Sequence, residues 1–222
     1  GHSLGEYTAL VASGAISFAD ALPLVRFRAE AMQQAVPEGT GGLAAILGLE
    51  DKQVREVCLE AAQGEVLEAV NFNSPEQVVI AGHKSAVLRG MEAAKVKGAK
   101  RAVLLPMSVP SHCSLMREAA NQLKQRLQTV ILKTPRIPVM HNADLNTHTQ
   151  PQAIRDALVQ QLYKPVHWVG TIQALAQEGI THIAECAPGK VLAGLNKRIA
   201  ANLEVMALID SNTLKQALTV MV

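Results

Sequence analysis

Apolar residues recur along this chain with two spacings, one typical of helices and one typical of strands, and segments of the two kinds alternate. Residues 4–12 have the pattern of a helix. Ser17 can cap a second helix, which Pro37 and Gly39 would end. The second helix has one apolar stripe, formed by Phe18, Leu22, Val25, Ala29, Met32 and Val36. The alternation predicts an α/β protein.

The segment 41–106 has an element order of its own. Its patterns predict two helices, at 51–62 and 83–96, and four strands, at 43–49, 66–72, 77–81 and 101–105. The order strand–helix–strand–strand–helix–strand is typical of a ferredoxin-like fold. We therefore predict a small ferredoxin-like domain at 41–106, inserted into a larger domain that consists of 1–40 and 107–222.

The remainder of the larger domain contains more helical patterns than strand patterns. The predicted helices lie at 112–130, 151–163, 166–177, 190–200 and 212–222. The predicted strands lie at 137–141, 182–185 and 204–208. We expect these elements to complete a core built on a parallel sheet.

Composition narrows the classes of function. The chain has 222 residues, of which 49% are hydrophobic, and this is enough for a large core. A net charge of +2 argues against a nucleic-acid binder. Cys58, Cys113 and Cys186 lie far apart without metal-ligand spacing, so we expect neither a metal site nor a disulfide framework. This cysteine usage favours the cytoplasm, and no apolar run is long enough to cross a membrane.

The chain begins with a G-x-S-x-G motif, which reads GHSLG at 1–5. In a nucleophile elbow, such a serine sits on a sharp turn between a strand and a helix, as in the parallel-sheet core of α/β-hydrolases. The helix that follows offers free N–H groups to a developing oxyanion. Ser3 is therefore a candidate nucleophile, and an ordinary glycine-rich turn is the alternative. Because Gly1 already belongs to the motif, we expect the sequence to be part of a longer chain.

Arg28 is a candidate anion-binding residue because of its position on the second helix. Arg26 has Glu30 four residues further on and can form a helical ion pair with it. Arg28 has no such partner and lies at the edge of the apolar stripe. A half-buried guanidinium is costly unless an anion meets it, and its planar shape suits a carboxylate. Alternatively, its stem packs on the helix and its head reaches water.

Three further segments, together with GHSLGEY at 1–7, carry a resemblance to a known family. They read NFNSPEQVVIAG at 71–82, VPSHCSLM at 109–116 and GKVL at 189–192. In this order, over essentially the whole chain, they resemble the malonyl-CoA:acyl-carrier-protein transacylases. The family has a longer N-terminal segment with a glutamine loop that supplies an oxyanion donor. Neither that loop nor the strand before the elbow is present in this sequence.

The resemblance implies roles for individual residues. Ser3 would be the nucleophile, His112 the general base, and Arg28 the ligand of the malonyl carboxylate. The Leu4 N–H would be one donor of the oxyanion hole. Gln161 would orient His112.

The same resemblance implies the reaction and its partners. A malonyl group would pass from malonyl-CoA to the phosphopantetheine thiol of acyl carrier protein, through a serine-linked acyl-enzyme. This ping-pong malonyltransferase reaction belongs to fatty acid or polyketide biosynthesis. Malonyl-CoA is a substrate, and no metal or redox cofactor is expected. The expected macromolecular partner is acyl carrier protein, with neither nucleic acid nor membrane.

Two other functions fit parts of the sequence. An α/β-hydrolase-type serine esterase or thioesterase would need the chain order serine, acid, histidine, which Ser3, Asp144 and His182 satisfy. However, His182 falls in a strand pattern, and a ferredoxin-like insert is foreign to a simple esterase. The third possibility is a non-catalytic fragment that binds a carrier protein without forming an acyl-enzyme.

Overall fold

A computed structural model of the chain describes residues 1–107, 109–186 and 188–221. Its first two helices, α1 (Leu4–Ala12) and α2 (Phe18–Gln34), lie where the sequence predicts them. Ser17 caps α2 as expected, because its hydroxyl oxygen accepts a hydrogen bond of 3.1 Å from the Asp20 backbone N–H. Helices and strands alternate along the chain, which confirms the α/β prediction.

Four strands in the next segment form one antiparallel sheet with the spatial order β2-β3-β1-β4. They are β1 (Gly41–Leu47), β2 (Leu67–Ser74), β3 (Gln77–His83) and β4 (Arg101–Leu104). Two helices, α3 (Asp51–Ala62) and α4 (Lys84–Val96), pack against this sheet. The shared core includes Ile46, Val54, Val57, Phe72, Ile80 and Val87. All six elements predicted for this segment are present, with small shifts at their ends.

The second half of the chain is mainly helical. Its helices are α5 (Arg117–Leu127), α6 (Pro151–Gln161), α7 (Trp168–Gln177), α8 (Val191–Ile199) and α9 (Ser211–Met221). Its strands β5 (His182–Glu185) and β6 (Glu204–Ala207) pair in parallel. The last residue of the helix predicted at 212–222 lies outside the described residues. In the part of the chain that the structure describes, no helix is both long and apolar enough to cross a membrane.

Two predicted elements are wrong. The helix predicted at 112–130 begins late, because His112 lies in a turn and a 3-10 helix at Ser114–Met116 precedes α5. The backbone of His112 is left-handed, with φ 67°, and its N–H donates to the Leu162 carbonyl at 2.9 Å. This long-range bond overrides the local helical periodicity. The strand predicted at 137–141 is reduced to a single bridge between Met140 and Thr147.

A helical core places the start of α1, the middle of α2 and the end of α6 close together. Side chains from α1, α2, α5 and α6 form this core, and Leu10, Leu24, Leu123 and Leu158 are fully buried in it. Strand β2 joins the same region through backbone hydrogen bonds to Val166, which precedes α7. The three helices therefore supply side chains to one shared site.

Candidate active site

Ser3 lies immediately before α1 in an unusual backbone conformation, with φ 48° and ψ −109°. Such a conformation is costly for a residue other than glycine and persists where the surrounding structure enforces it. The Ser3 N–H donates to Asn142 Oδ1 at 2.7 Å, and its carbonyl accepts from Gln161 Nε2 at 3.0 Å. The side chain is half-buried. The hydroxyl is therefore presented on the kind of sharp turn expected of a nucleophile elbow.

His112 lies directly beside this hydroxyl. Its Nε2 is 2.8 Å from Ser3 Oγ, and its Nδ1 is 2.6 Å from the Gln161 backbone carbonyl. A carbonyl can only accept, so Nδ1 carries the hydrogen and Nε2 keeps its lone pair. The Ser3 hydroxyl then donates to Nε2. This is the tautomer that can take a proton from the serine.

The environment of His112 keeps its ring neutral. Burial, together with the positive charge of Arg28, lowers the pKa of His112 from 6.5 to about 3. A neutral imidazole is the form that can act as a general base. The ring also lies at the C-terminal end of α6, whose carbonyls lack intrahelical partners. The negative end of a helix stabilises positive charge, and so favours the imidazolium when it forms.

Arg28 is buried beside Ser3. Its Nη2 donates to Ser3 Oγ at 3.2 Å and to Gln161 Oε1 at 3.1 Å. Its guanidinium lies over the Tyr7 ring, 5.6 Å from the ring centroid. Among the described residues, no carboxylate forms an ion pair with Arg28, and its buried Nε has no hydrogen-bond partner. An anion that arrives next to Ser3 would meet this unpaired charge.

The N–H of Leu4 is the first backbone donor after Ser3. The next two N–H groups, those of Gly5 and Glu6, donate to the carbonyls of His2 and Ser3 at 2.9 and 3.0 Å. This leaves the Leu4 N–H without a backbone acceptor in the described part of the chain. It can therefore donate to an oxyanion that forms on an acyl group at Ser3.

Two residues that the sequence did not single out belong to the same site. Glu6 is fully buried, and its carboxylate accepts hydrogen bonds from His141, Asn142 and Gln161. Asn142 in turn accepts from the Ser3 N–H. Helical spacing could have indicated Glu6, which lies three residues after Ser3 on the inward side of α1. Asn142 lies in a loop, and no local pattern marks it.

The residues of the esterase alternative are not assembled. Asp144 Oδ2 accepts from His148 Nε2 at 2.8 Å, four residues away. His182 lies on β5, where its Nε2 is 3.3 Å from Glu204. In the described ranges, neither Asp144 nor His182 forms a hydrogen bond with Ser3 or His112. Across the same ranges, no three or more histidine, cysteine, aspartate or glutamate side chains lie together in a way that could bind a metal ion.

Comparison with known proteins identifies relatives along the whole chain. Residues 1–212 match the model of the acyl transferase domain family. The chain is 53% identical over 219 residues to the malonyl CoA-acyl carrier protein transacylase of Salmonella typhimurium. That alignment covers 99% of this chain and 71% of the Salmonella protein.

Solved structures of similar proteins have the same fold. An acyl-carrier-protein S-malonyltransferase from Burkholderia pseudomallei is 57% identical, with a TM-score of 0.97 over 99% of this chain and 71% of that one. A malonyl-transacylase solved in complex with a type II PKS acyl-carrier protein is 48% identical, with a TM-score of 0.97. This second match also covers 99% of this chain and 71% of the other.

Proposed function

Because the chain belongs to the acyl transferase domain family, we propose that it transfers a malonyl group from malonyl-CoA to acyl carrier protein through an acyl-enzyme on Ser3. The observation that carries this proposal is the 2.8 Å contact between Ser3 Oγ and His112 Nε2. The Nδ1–H of His112 is already committed to a backbone carbonyl, so Nε2 is free to accept a proton. The reaction would belong to fatty acid or polyketide biosynthesis, and the complex of a relative with a type II PKS acyl-carrier protein is in keeping with the second of these.

In the first half-reaction, Ser3 Oγ attacks the thioester carbonyl of malonyl-CoA, and its proton moves to His112 Nε2. The negative charge that develops on the carbonyl oxygen is stabilised by the Leu4 N–H. The carbon–sulfur bond then breaks, and the coenzyme A sulfur takes the proton back from His112. The malonyl group remains as an ester on Ser3.

Arg28 selects the malonyl group over acyl groups without a carboxylate. The guanidinium already lies within hydrogen-bond distance of Ser3 Oγ, so the carboxylate of a short acyl group esterified to Ser3 lies within its reach. A bidentate bond between arginine and a carboxylate is among the stronger hydrogen-bonded pairs. Before the substrate arrives, the same charge lowers the cost of forming an alkoxide at Ser3.

In the second half-reaction, the phosphopantetheine thiol of acyl carrier protein replaces coenzyme A. The thiol gives its proton to His112 Nε2 and attacks the ester carbonyl. Ser3 Oγ leaves and recovers the proton. Each step moves only a proton and an acyl group, so the chemistry requires no redox or metal cofactor. Carrier protein is the partner that this second step demands, in keeping with the complex solved for a relative.

The proposal extends to the division of the chain. Residues 41–106 would form the ferredoxin-like insert, and the spatial strand order β2-β3-β1-β4 with two helices supports this topology. Residues 1–40 and 107–222 would form an α/β-hydrolase-like core, which the parallel pair of β5 and β6 supports. The three cysteines are free thiols, in keeping with a cytoplasmic location.

Intact-mass measurement tests the nucleophile. Full-length protein mixed with malonyl-CoA should gain one malonyl mass, which peptide mapping should place on Ser3. Ser3→Ala should abolish the adduct. Ser13→Ala, which removes a serine hydroxyl just past the other end of α1, should retain it. An adduct that persists in Ser3→Ala would contradict the proposal.

Adding carrier protein to the labelled enzyme separates transfer from hydrolysis. Transfer requires that the malonyl mass move to holo-carrier protein and leave the enzyme unmodified. Free malonate released without any need for carrier protein would instead support the esterase alternative. Binding of carrier protein without any adduct would support a non-catalytic role.

A further inference from the structure

Glu6 is a fully buried carboxylate for which the proposed chemistry has no step. Its Oε1 accepts from His141 Nδ1 at 2.7 Å, and its Oε2 accepts from the Asn142 N–H at 3.0 Å and from Gln161 Nε2 at 2.9 Å. A buried carboxylate is costly unless several donors satisfy it. These donors therefore cannot rearrange freely without leaving the buried carboxylate unsatisfied.

Two of these partners hold the backbone of Ser3. The Asn142 side chain accepts from the Ser3 N–H at 2.7 Å, while the Asn142 backbone N–H is bound to Glu6. The Gln161 side chain donates to the Ser3 carbonyl at 3.0 Å as well as to Glu6. Both polar backbone groups of Ser3 thus bind residues that Glu6 anchors. A backbone in a sparsely populated conformation needs such constraints to keep it there.

Glu6 also fixes which way the Gln161 amide points. Gln161 Nε2 faces the Glu6 carboxylate, and Gln161 Oε1 faces the Arg28 guanidinium. In the flipped amide, an oxygen would face the carboxylate and an NH₂ group would face the guanidinium, so both contacts would become repulsive. The backbone carbonyl of the same Gln161 holds the His112 ring. One glutamine therefore links Glu6 to Ser3, Arg28 and His112.

We infer that Glu6 is a positioning residue for the acyl transfer, acting through Gln161 and Asn142 to hold Ser3 in its reactive conformation; this rests on the proposed function. The competing explanation is a purely structural pair between Glu6 and His141. The two explanations differ in what they predict for the rate of acylation by enzyme that is fully folded.

The test compares single-turnover acylation by malonyl-CoA in wild-type full-length protein, Glu6→Ala and Glu6→Gln. The final adduct per chain reports how much enzyme is folded, and the rate constant reports positioning. We expect Glu6→Ala to reach the full adduct but roughly 100-fold more slowly, because a small misplacement of the reacting groups can slow a reaction by about this factor. A normal rate at full adduct would overturn the inference, as would a reduced amplitude with a normal rate in the folded fraction.

Glu6→Gln should rescue the rate to within about tenfold of wild type. Its side-chain oxygen can still accept from Asn142 and Gln161, while its NH₂ group faces His141. His141 can then accept at Nδ1 by shifting its proton to Nε2, which has no partner among the described residues. If Glu6→Gln is as slow as Glu6→Ala while both fold, hydrogen bonding to Gln161 and Asn142 is not the cause and the inference fails.

Glu185→Ala is the matched control. Glu185 is also a buried carboxylate, and its Oε2 accepts from the Ala193 N–H at 2.7 Å in a different part of the fold. We expect Glu185→Ala to lower the melting temperature and to leave the acylation rate of the folded enzyme unchanged. An equal slowing in Glu6→Ala and Glu185→Ala would indicate a general loss of structure and overturn the inference.

A double-mutant cycle tests the route through Gln161. Gln161→Ala removes the side chain and keeps the carbonyl that binds His112. If Glu6 acts through that side chain, Glu6→Ala/Gln161→Ala should lie within about twofold of the slower single variant. If the rate losses of the two single variants multiply in the double variant, Glu6 acts independently of Gln161. Failure of wild type to form any adduct would instead refute the proposed function, so the two failures are distinguishable.

Discussion

Acidification should destabilise the fold through His112. The side chain is only 2% exposed, and its burial, with the nearby charge of Arg28, lowers its pKa to about 3. In the unfolded chain its pKa returns to the ordinary value of 6.5. Between these two values, the unfolded state binds a proton that the folded state does not.

The sign and size of the effect follow from this difference. Because the folded pKa is depressed, the stability contribution is fully present above pH 6.5 and is lost as the pH falls toward 3. Each pH unit inside this window costs about 1.4 kcal/mol. Lowering the pH from 7.5 to 5.0 crosses about 1.5 units of the window, so His112 alone should cost about 2 kcal/mol of unfolding free energy.

Urea unfolding at pH 7.5 and at pH 5.0 measures this loss of unfolding free energy. The measurement compares the full-length wild-type protein with its His112→Gln variant. Glutamine does not titrate, and its amide can donate to the Gln161 carbonyl and accept from Ser3. Burial also lowers the pKa values of His2 and His167. Both proteins contain these groups and the other titrating residues, so their contributions to the loss of unfolding free energy cancel in the comparison. Wild type should lose about 2 kcal/mol more than the variant. Equal losses of unfolding free energy in wild type and His112→Gln would refute the assignment of this effect to His112.

The same depressed pKa determines the pH profile of acylation. Since His112 stays neutral in the folded state down to acid pH, the rate constant for malonyl transfer to Ser3 should show no inflection near 6.5. Rapid-quench measurements from pH 5 to pH 8 would test this. A fall of roughly fivefold between pH 6.5 and pH 5.5 would show that the base titrates with its ordinary pKa.

Two further substitutions test binding and packing. Arg28→Ala should slow malonyl-CoA acylation at least about tenfold more than acetyl-CoA acylation, because hydrogen bonds to charged groups are worth roughly 1.5–3 kcal/mol; equal losses for both donors would show a structural role only. Trp168→Phe should cost about 1–3 kcal/mol in urea unfolding, because it removes the 2.8 Å bond from Nε1 to the buried Asn196 side chain. An unchanged unfolding midpoint would mean that Asn196 finds another partner.

The elements that the sequence predicted best are those with strong local determinants. α1 and α3 have the predicted bounds, and Ser17 caps α2 as its position suggested. The failures lie where long-range bonds dominate. The segment that begins at His112 has helical periodicity, yet a backbone bond to Leu162 and a left-handed φ hold its first residues in a turn.

The residues of the candidate site also differ in whether local sequence or long-range contacts mark them. The G-x-S-x-G motif indicated Ser3, and the family resemblance indicated His112. Helical spacing left two interpretations of Arg28, between which the resemblance decided. Glu6 was missed because its carboxylate meets Asn142 and Gln161, which lie 136 and 155 residues away. Nothing in a local pattern reports a contact over that separation.

The length of α6 determines where two backbone carbonyls meet His112 in the candidate active site. The carbonyl of its last residue, Gln161, binds the His112 ring, and the carbonyl of the next residue, Leu162, binds the backbone N–H of His112. One residue inserted or deleted within α6 would turn its end by about 100° and shift it by about 1.5 Å, so neither carbonyl would still face the ring. Insertions and deletions should therefore be tolerated in the loop before Pro151 and excluded from the helix itself. A redesign that transplants this site must copy where α6 stops as faithfully as it copies the serine and the histidine.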